Sequence, residues 1–243
     1  MNKPINIVSF GGGVNSTALI IEMIRRNVKI DYIIFADTGS EMPETYEHIE
    51  IMKKWFKDHN LAFIVVKSKL GSVYDHYFNK KTIPYRKFRS CTDKFKIRPI
   101  TKWVKKFKGR GVIQNIGISI EERNRQFKTR LSWVKFEFPL IKWKINRKSC
   151  INIIQNEGLS VPIKSGCFMC PFQSNNSWKL LYSKHNELFK KSIELEQNSI
   201  KYPINTLRYR GNLTDLKRSI EDQTTITDFN CGLKNKCGGY CFI

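Results

Sequence analysis

Ser9-Phe10-Gly11-Gly12-Gly13-Val14-Asn15-Ser16-Thr17 holds three consecutive glycines followed by an amide and two hydroxyls. Glycines let backbone N–H groups approach an anion closely. A helix starting just after them adds unpaired N–H groups and the positive end of its dipole. Ser16 and Thr17 bring hydroxyl donors, so the segment reads as a phosphate-binding loop. The plainer alternative is a tight strand-to-helix turn capped by Asn15. Both the Gly-Lys-Ser/Thr ending of the Walker loop and the Gly-x-Gly-x-x-Gly dinucleotide spacing are missing. Asp37, before Thr38-Gly39, offers a carboxylate for a ribose hydroxyl or Mg2+, or simply a cap for the next segment. Glu121, Glu122 and Arg123 form a second charged cluster, in which Arg123 would stabilise phosphate charge.

The seven cysteines are Cys91, Cys150, Cys167, Cys170, Cys231, Cys237 and Cys241. An odd number in a chain of this size points to metal, cluster or thiol chemistry rather than to disulfides. Cys167-Phe168-Met169-Cys170 has the two-residue spacing that lets both thiolates reach one metal from a tight turn. Cys91 and Cys150 complete a set of four if the fold brings them together, and Cys237 with Cys241 form a rival pair. Buried thiols packing like small apolar residues are the alternative. His48, His59, His76 and His185 are scattered and read as surface or packing residues.

These groups need a scaffold, and the first third of the chain supplies its pattern. Short β-branched runs at Ile5 to Phe10, Asp31 to Ala36, Leu61 to Val66 and Gly111 to Ile118 alternate with segments of helical period. Those helical segments are Asn15 to Arg26, Pro43 to Asn60 and the basic stretch Lys94 to Phe107. The alternation predicts an α/β fold, an open, mostly parallel sheet flanked by helices. Beyond Glu121 come aromatic-rich Trp133 to Trp143, a helix from Asn146 to Glu157, a cysteine-bearing loop and a helix from Asn175 to Gln197. From Asp222 onward little periodicity is visible. The expected division is a nucleotide-binding domain over 1–160 and a cysteine-bearing helical extension over 161–243. Trp133, Trp143 and Trp178 suit core or interface packing better than base stacking.

With 43 Lys+Arg against 21 Asp+Glu, the 243-residue chain carries a formal charge of +22. Self-repulsion on that scale makes nucleotides, tRNA or DNA, or acidic lipid the candidate partners. No apolar run approaches a membrane span and the N-terminal segment does not read as a signal peptide, so a cytoplasmic protein without membrane contact is expected. The oligomeric state leaves no signature.

Gly12-Gly13-Val14-Asn15-Ser16 resembles the Ser-Gly-Gly-x-Asp-Ser loop of the PP-loop adenine nucleotide α-hydrolase superfamily, with Gly11 for its first Ser and Asn15 for its Asp. Four further stretches are similar to its phosphoadenosine phosphosulfate (PAPS) reductase-like branch. They are Phe35 to Gly39 with Pro43 to Tyr46, Cys91 to Pro99, Gly117 with Glu121-Glu122-Arg123, and Ser165 to Pro171. The resemblance implies nucleotide over the carboxyl ends of the strands, held by Ser9, Gly11, Gly12, Gly13, Asn15, Ser16, Thr17, Asp37 and Gly117. It implies ATP with Mg2+, cleaved between the α- and β-phosphates to adenylate an acceptor, with Ser16, Asp37 and Arg123 as catalytic candidates and sulfur transfer to nucleic acid as an extension. Reductase members instead hold PAPS or its unphosphorylated relative APS and cleave the sulfate with a thiol. A non-catalytic nucleic-acid-binding protein on a degenerate nucleotide fold is the other alternative. Related reductases bind a 4Fe-4S cluster through cysteine pairs, which favours a cluster over Zn2+ for Cys91, Cys150, Cys167 and Cys170. Thr92 stands where the first pair needs a second cysteine. Cys231-Gly232-Leu233 is faintly similar to the reductases' C-terminal nucleophile.

Overall fold

In β1 (Ile5–Phe10), Ile5 and Ile7 enter one apolar cluster while Val8 and Phe10 enter another. The same split recurs in β2 (Tyr32–Asp37), with Ile34 and Ala36 on the first side and Ile33 and Phe35 on the second. Strands buried on both faces belong in a parallel sheet covered by crossover helices. The computed structural model, which describes residues 3–129, 131–201, 205–208 and 211–231, has this architecture. With β3 (Phe63–Lys67), β4 (Val112–Ile116) and β5 (Val134–Glu137), the order is β3-β2-β1-β4-β5, and every pairing is parallel. The expected α/β class and open parallel sheet are therefore observed.

One face is covered by α1 (Val14–Arg25), α2 (Pro43–Asp58) and, beyond β5 and the short α6 (Pro139–Lys142), α7 (Arg147–Asn156). Ile49, Met52 and Phe56 of α2 fall on one helical stripe and are all buried there. The other face is packed by Val104 of α5 (Arg98–Val104), with Ile100 and Trp103 beside it. Before α5 come α3 (Val73–Asn79) and the single turn α4 (Ser90–Thr92).

Two expectations on elements are corrected. The stretch from Lys94 to Phe107 is not one helix: a π-helical turn (Asp93–Ile97) leads into α5, and a 3-10 turn (Lys105–Phe107) follows it. Pro99, in the first turn of α5, has no N–H to give to the preceding turn. The helix expected over Asn175 to Gln197 is two, α8 (Asn175–Lys184) and α9 (Asn186–Asn198), parted at His185. The Asn186 side-chain amide donates to the Tyr182 carbonyl at 3.4 Å, competing with the backbone ladder. Past Asp222 the backbone continues as helix, since α10 runs over Leu213–Cys231.

Over the described residues the chain forms two compact units. The first comprises Met1–His76 and Arg89–Cys167; the second comprises Tyr77–Phe88 and Phe168–Ile243. In the second unit, Glu196 of α9 is buried and accepts the Leu207 N–H at 2.6 Å and the Leu213 N–H at 2.7 Å. Among the described residues no helix is long and apolar enough to cross a membrane.

Candidate functional site

Leaving β1, the chain crosses to β2 and β3 on one side, and β4 and β5 complete the sheet on the other. Beyond the carboxyl ends of β1 and β4 this opens the crevice where open α/β sheets bind ligands. Ser9 of β1 pairs with Ile116 of β4 at that edge, so the glycine loop after β1 and Gly117 after β4 lie together. A Cβ on Gly117 would sit 2.9 Å from both the N and Cα of Ser16. A side chain at residue 117 would have to push the first turn of α1 away from β4.

Within the loop Gly12 has φ +67°, a left-handed conformation that favours glycine, and a Cβ there would meet the Thr45 methyl at 3.0 Å. The first bond of α1 runs from Thr17 N to Gly13 O at 3.0 Å, which leaves the preceding N–H groups outside the helical ladder. Ser16 Oγ donates to Gly13 O at 3.0 Å and accepts from Gly11 N at 3.2 Å, clasping the loop. Ser9 Oγ accepts from Gln114 Nε2 at 2.7 Å and ties the loop's root to β4.

Thr17 does not offer its hydroxyl to a ligand. It is fully buried, and its Oγ1 donates to Gly13 O at 3.0 Å. Since that hydroxyl has one proton, His48 Nε2, 2.9 Å away, is the donor to Thr17, which requires a proton on Nε2. His48 lies on the buried stripe of α2 and props the loop from inside, a role the scattered histidines did not suggest. Burial pushes its pKa down to about 4. An unfolded chain takes up this proton near pH 6.5, whereas the folded one resists it until about pH 4. Stability is therefore expected to fall as pH drops through that window, by up to about 1.4 kcal/mol per pH unit. Urea midpoints at pH 7 and pH 5 should separate more for the wild type than for His48→Gln; equal separations would contradict the assignment.

The Asn15 amide is used on both sides. It accepts from Arg147 Nη1 at 3.0 Å and donates to Glu122 Oε2 at 3.0 Å, while Arg125 pairs with the other Glu122 oxygen. Arg147 opens α7, where Asn146 caps the helix through the Ser149 N–H and Glu121 Oε1 accepts the Arg147 N–H at 2.9 Å. Arg147 and Arg125 thus put two guanidinium groups at the loop, coupled through Asn15 and Glu122. Arg123 is exposed on the 3-10 turn Ile120–Arg125, and the contacts to the loop come from Glu122 and Arg147 instead.

Asp37 closes β2. Its Oδ1 accepts from the Gly39 N–H and the Tyr46 hydroxyl, each at 2.8 Å, and its Oδ2 pairs with Lys67 at 3.0 Å. Burial alone would raise its pKa, but the Gly39 N–H, Lys67 and Tyr46 outweigh that and hold it below the usual carboxylate range. The capping role weighed for Asp37 is thus present, beside an ionised carboxylate at the sheet edge.

Ser165 and Cys167 also reach this edge. A Cβ on Gly13 would meet Ser165 Oγ at 2.7 Å, Met42 N donates to Gly166 O at 2.9 Å, and Cys167 Sγ lies 3.3 Å from Thr38 Oγ1. Thr38 also donates to buried Glu41 Oε1 at 3.0 Å, an oxygen that Lys96 approaches at 3.0 Å.

Among the described residues no three His, Cys, Asp or Glu side chains gather into a metal-holding group. Cys150 faces inward from α7, fully buried in the same aliphatic cluster as Leu19 and Ile154, and burial pushes its thiol up to about 11. A metal or cluster needs its thiolates together and deprotonated, so Cys150 does not fit one. Cys91 and Cys170 are half-buried; the side chain of Cys231 and all of Cys237 and Cys241 lie outside the described residues.

A 28% identical relative, the uncharacterised protein MJ0973 of Methanocaldococcus jannaschii, aligns over 202 residues, 78% of this chain and 47% of that protein. The uncharacterised nin region protein ORF290 of Escherichia phage lambda is 30% identical over 145 residues, half of each chain. The chain spans about half the length of the curated relatives it matches. Among solved structures, the U34-tRNA thiolase NcsA of Methanococcus maripaludis with its [4Fe-4S] cluster shares the fold, with TM-score 0.51 and 16% identity over 84% of this chain and 75% of that one. The phosphoadenosine phosphosulfate reductase domain family model matches residues 5–159, from the first residue of β1 to just past α7, and the chain belongs to that family.

Proposed function

We propose that this chain binds ATP at the β1/β4 crevice and cleaves it at the α-phosphate to adenylate an acceptor, with nucleic acid as the acceptor class and sulfur delivery as the purpose. The observation that carries the reading is the close seating of Gly117 on the first turn of α1, beside a glycine loop whose N–H groups before Thr17 lie outside the helical ladder. Phosphate oxygens would accept from those N–H groups, at the positive end of the α1 dipole. Arg147 and Arg125 would balance the charge that develops as pyrophosphate departs. Asp37, held ionised, would accept from a ribose hydroxyl. Ser16 keeps the loop in its receiving shape.

A thiol at the same edge favours a second reading. Cys167, 3.3 Å from Thr38, would serve a sulfonucleotide reductase that cleaves the sulfate of PAPS or APS. That activity predicts sulfite release with a thiol donor and no ATP consumption.

The deciding experiment incubates α-labelled ATP and Mg2+ with the protein, with and without bulk tRNA or DNA, and follows AMP by thin-layer chromatography. AMP is expected, with stimulation by one nucleic acid. Intact ATP under every condition, with sulfite released from PAPS, would move the assignment to the reductase. Ser16→Ala should slow AMP formation by about fivefold, the cost of losing one clasp of about 1 kcal/mol.

A further inference from the structure

In the second unit, an open cleft of about 410 Å³ is bordered by Arg86, Lys87 and Arg208, with Tyr85 and the two prolines Pro84 and Pro171, and no carboxylate among the described residues lines it. Arg208 is fixed in place, its guanidinium donating to Asn175 Oδ1 at 3.2 and 3.3 Å and to the Asn212 carbonyl at 3.0 Å. Beside the cleft stand two rings that a folded chain would ordinarily cover, Phe88 at 73% exposure and Phe172 at 48%. The Arg86 guanidinium lies 5.7 Å above the Phe172 ring, and the Tyr85 and Phe88 rings are 5.4 Å apart. Tyr85 and Phe172 each follow directly on one of the prolines, whose fixed φ limits the wandering of both ring carriers.

Cations interleaved with exposed rings match an unpaired nucleotide strand, whose phosphates seek the cations while its bases stack on the rings. A free phosphate or nucleotide needs the charge but not a row of uncovered rings. A duplex presents its phosphates and keeps its bases stacked on each other.

We infer that this cleft is a docking site for single-stranded nucleic acid, which would deliver the acceptor strand. The inference rests on the reading above only for the class of acceptor, since the cleft belongs to the second unit and the nucleotide crevice to the first.

The test measures fluorescence anisotropy of end-labelled single-stranded RNA, single-stranded DNA and a duplex of matched sequence. The full chain is titrated at two salt concentrations without ATP. Tighter binding of a single strand of either sugar than of the duplex is expected. Phe88→Ala, at a site too exposed to matter for folding, should weaken that binding by about fivefold or more. Lys87→Ala should flatten the dependence of log K on log salt by about 0.7. Equal affinity for duplex and single strand, or wild-type affinity in both variants, would overturn the inference. Ser16→Ala should bind the strand as the wild type does while making less AMP, so failure of docking and failure of ATP cleavage show up in different assays.

Discussion

Gly117→Val is expected to abolish nucleotide turnover, with a loss of at least about 100-fold, and to lower stability by about 1–3 kcal/mol. Its Cβ would meet Ser16 N and Cα at 2.9 Å and the Asn15 carbonyl carbon at 3.0 Å, all backbone atoms that no rotamer change can move aside. Relief requires shifting the first turn of α1 away from β4. That turn carries the N–H groups assigned to the phosphates, and hydrogen bonds to phosphate weaken steeply when misaligned. A displacement near 1 Å is enough for the stated loss in a site that works by positioning. Gly158→Ala makes a useful control. Gly158 also has a positive φ, of 74°, but it follows α7 and its added Cβ would meet nothing within 4 Å. It should cost stability through backbone strain alone and leave turnover per folded molecule unchanged. Equal turnover losses in the two variants, measured at matched folded fraction, would show that general destabilisation and not displacement of the loop is responsible.

The contrast between these two glycines shows what the sequence could convey. The glycine loop was legible because its chemistry is local: the run Gly11-Gly12-Gly13 stands between a strand pattern and a helix pattern. The sheet was legible for a similar reason, since strands buried on both faces appear as unbroken β-branched runs. The partners of Asn15 were not legible. Arg147 is 132 residues away and Glu122 is 107 away, and only the juxtaposition of α1, α7 and the loop after β4 joins them. His48 did carry a signal, because it precedes Ile49 on the apolar stripe of α2 and so faces the core. Cys150 carried one too: with Ile154 four residues later it sits on the buried stripe of α7, which argues for packing rather than for ligation. The grouping of Tyr77–Phe88 with the second unit rests on contacts such as Asn198 Nδ2 donating to the Phe78 carbonyl at 2.6 Å, for which no periodicity exists.

Asn15→Asp carries the second large effect, and its sign runs against the usual form of the loop, which has Asp at this position. In this chain Asn15 is a relay: its carbonyl oxygen accepts from Arg147 and its amide nitrogen donates to Glu122, each at 3.0 Å. A carboxylate keeps the first bond and strengthens it, but it has no proton for the second. Two carboxylate oxygens then face each other at hydrogen-bond distance around a residue that is only 8% exposed. The loss of a bond to a charged acceptor and the new like-charge contact together should cost about 2–3 kcal/mol, less what Arg147 returns. Below neutral pH the variant should regain stability, because the introduced carboxyl, buried beside Glu122, takes up a proton and restores a donor. The restoring change is Glu122→Gln, whose amide can donate to the introduced carboxylate, so the double variant should recover most of the loss. A double-mutant cycle read from urea midpoints isolates the coupling, expected at about 1.5 kcal/mol or more. Additive single changes would mean that Asn15 and Glu122 do not interact. The departure from Asp at residue 15 would then have no compensating partner on the 3-10 turn Ile120–Arg125.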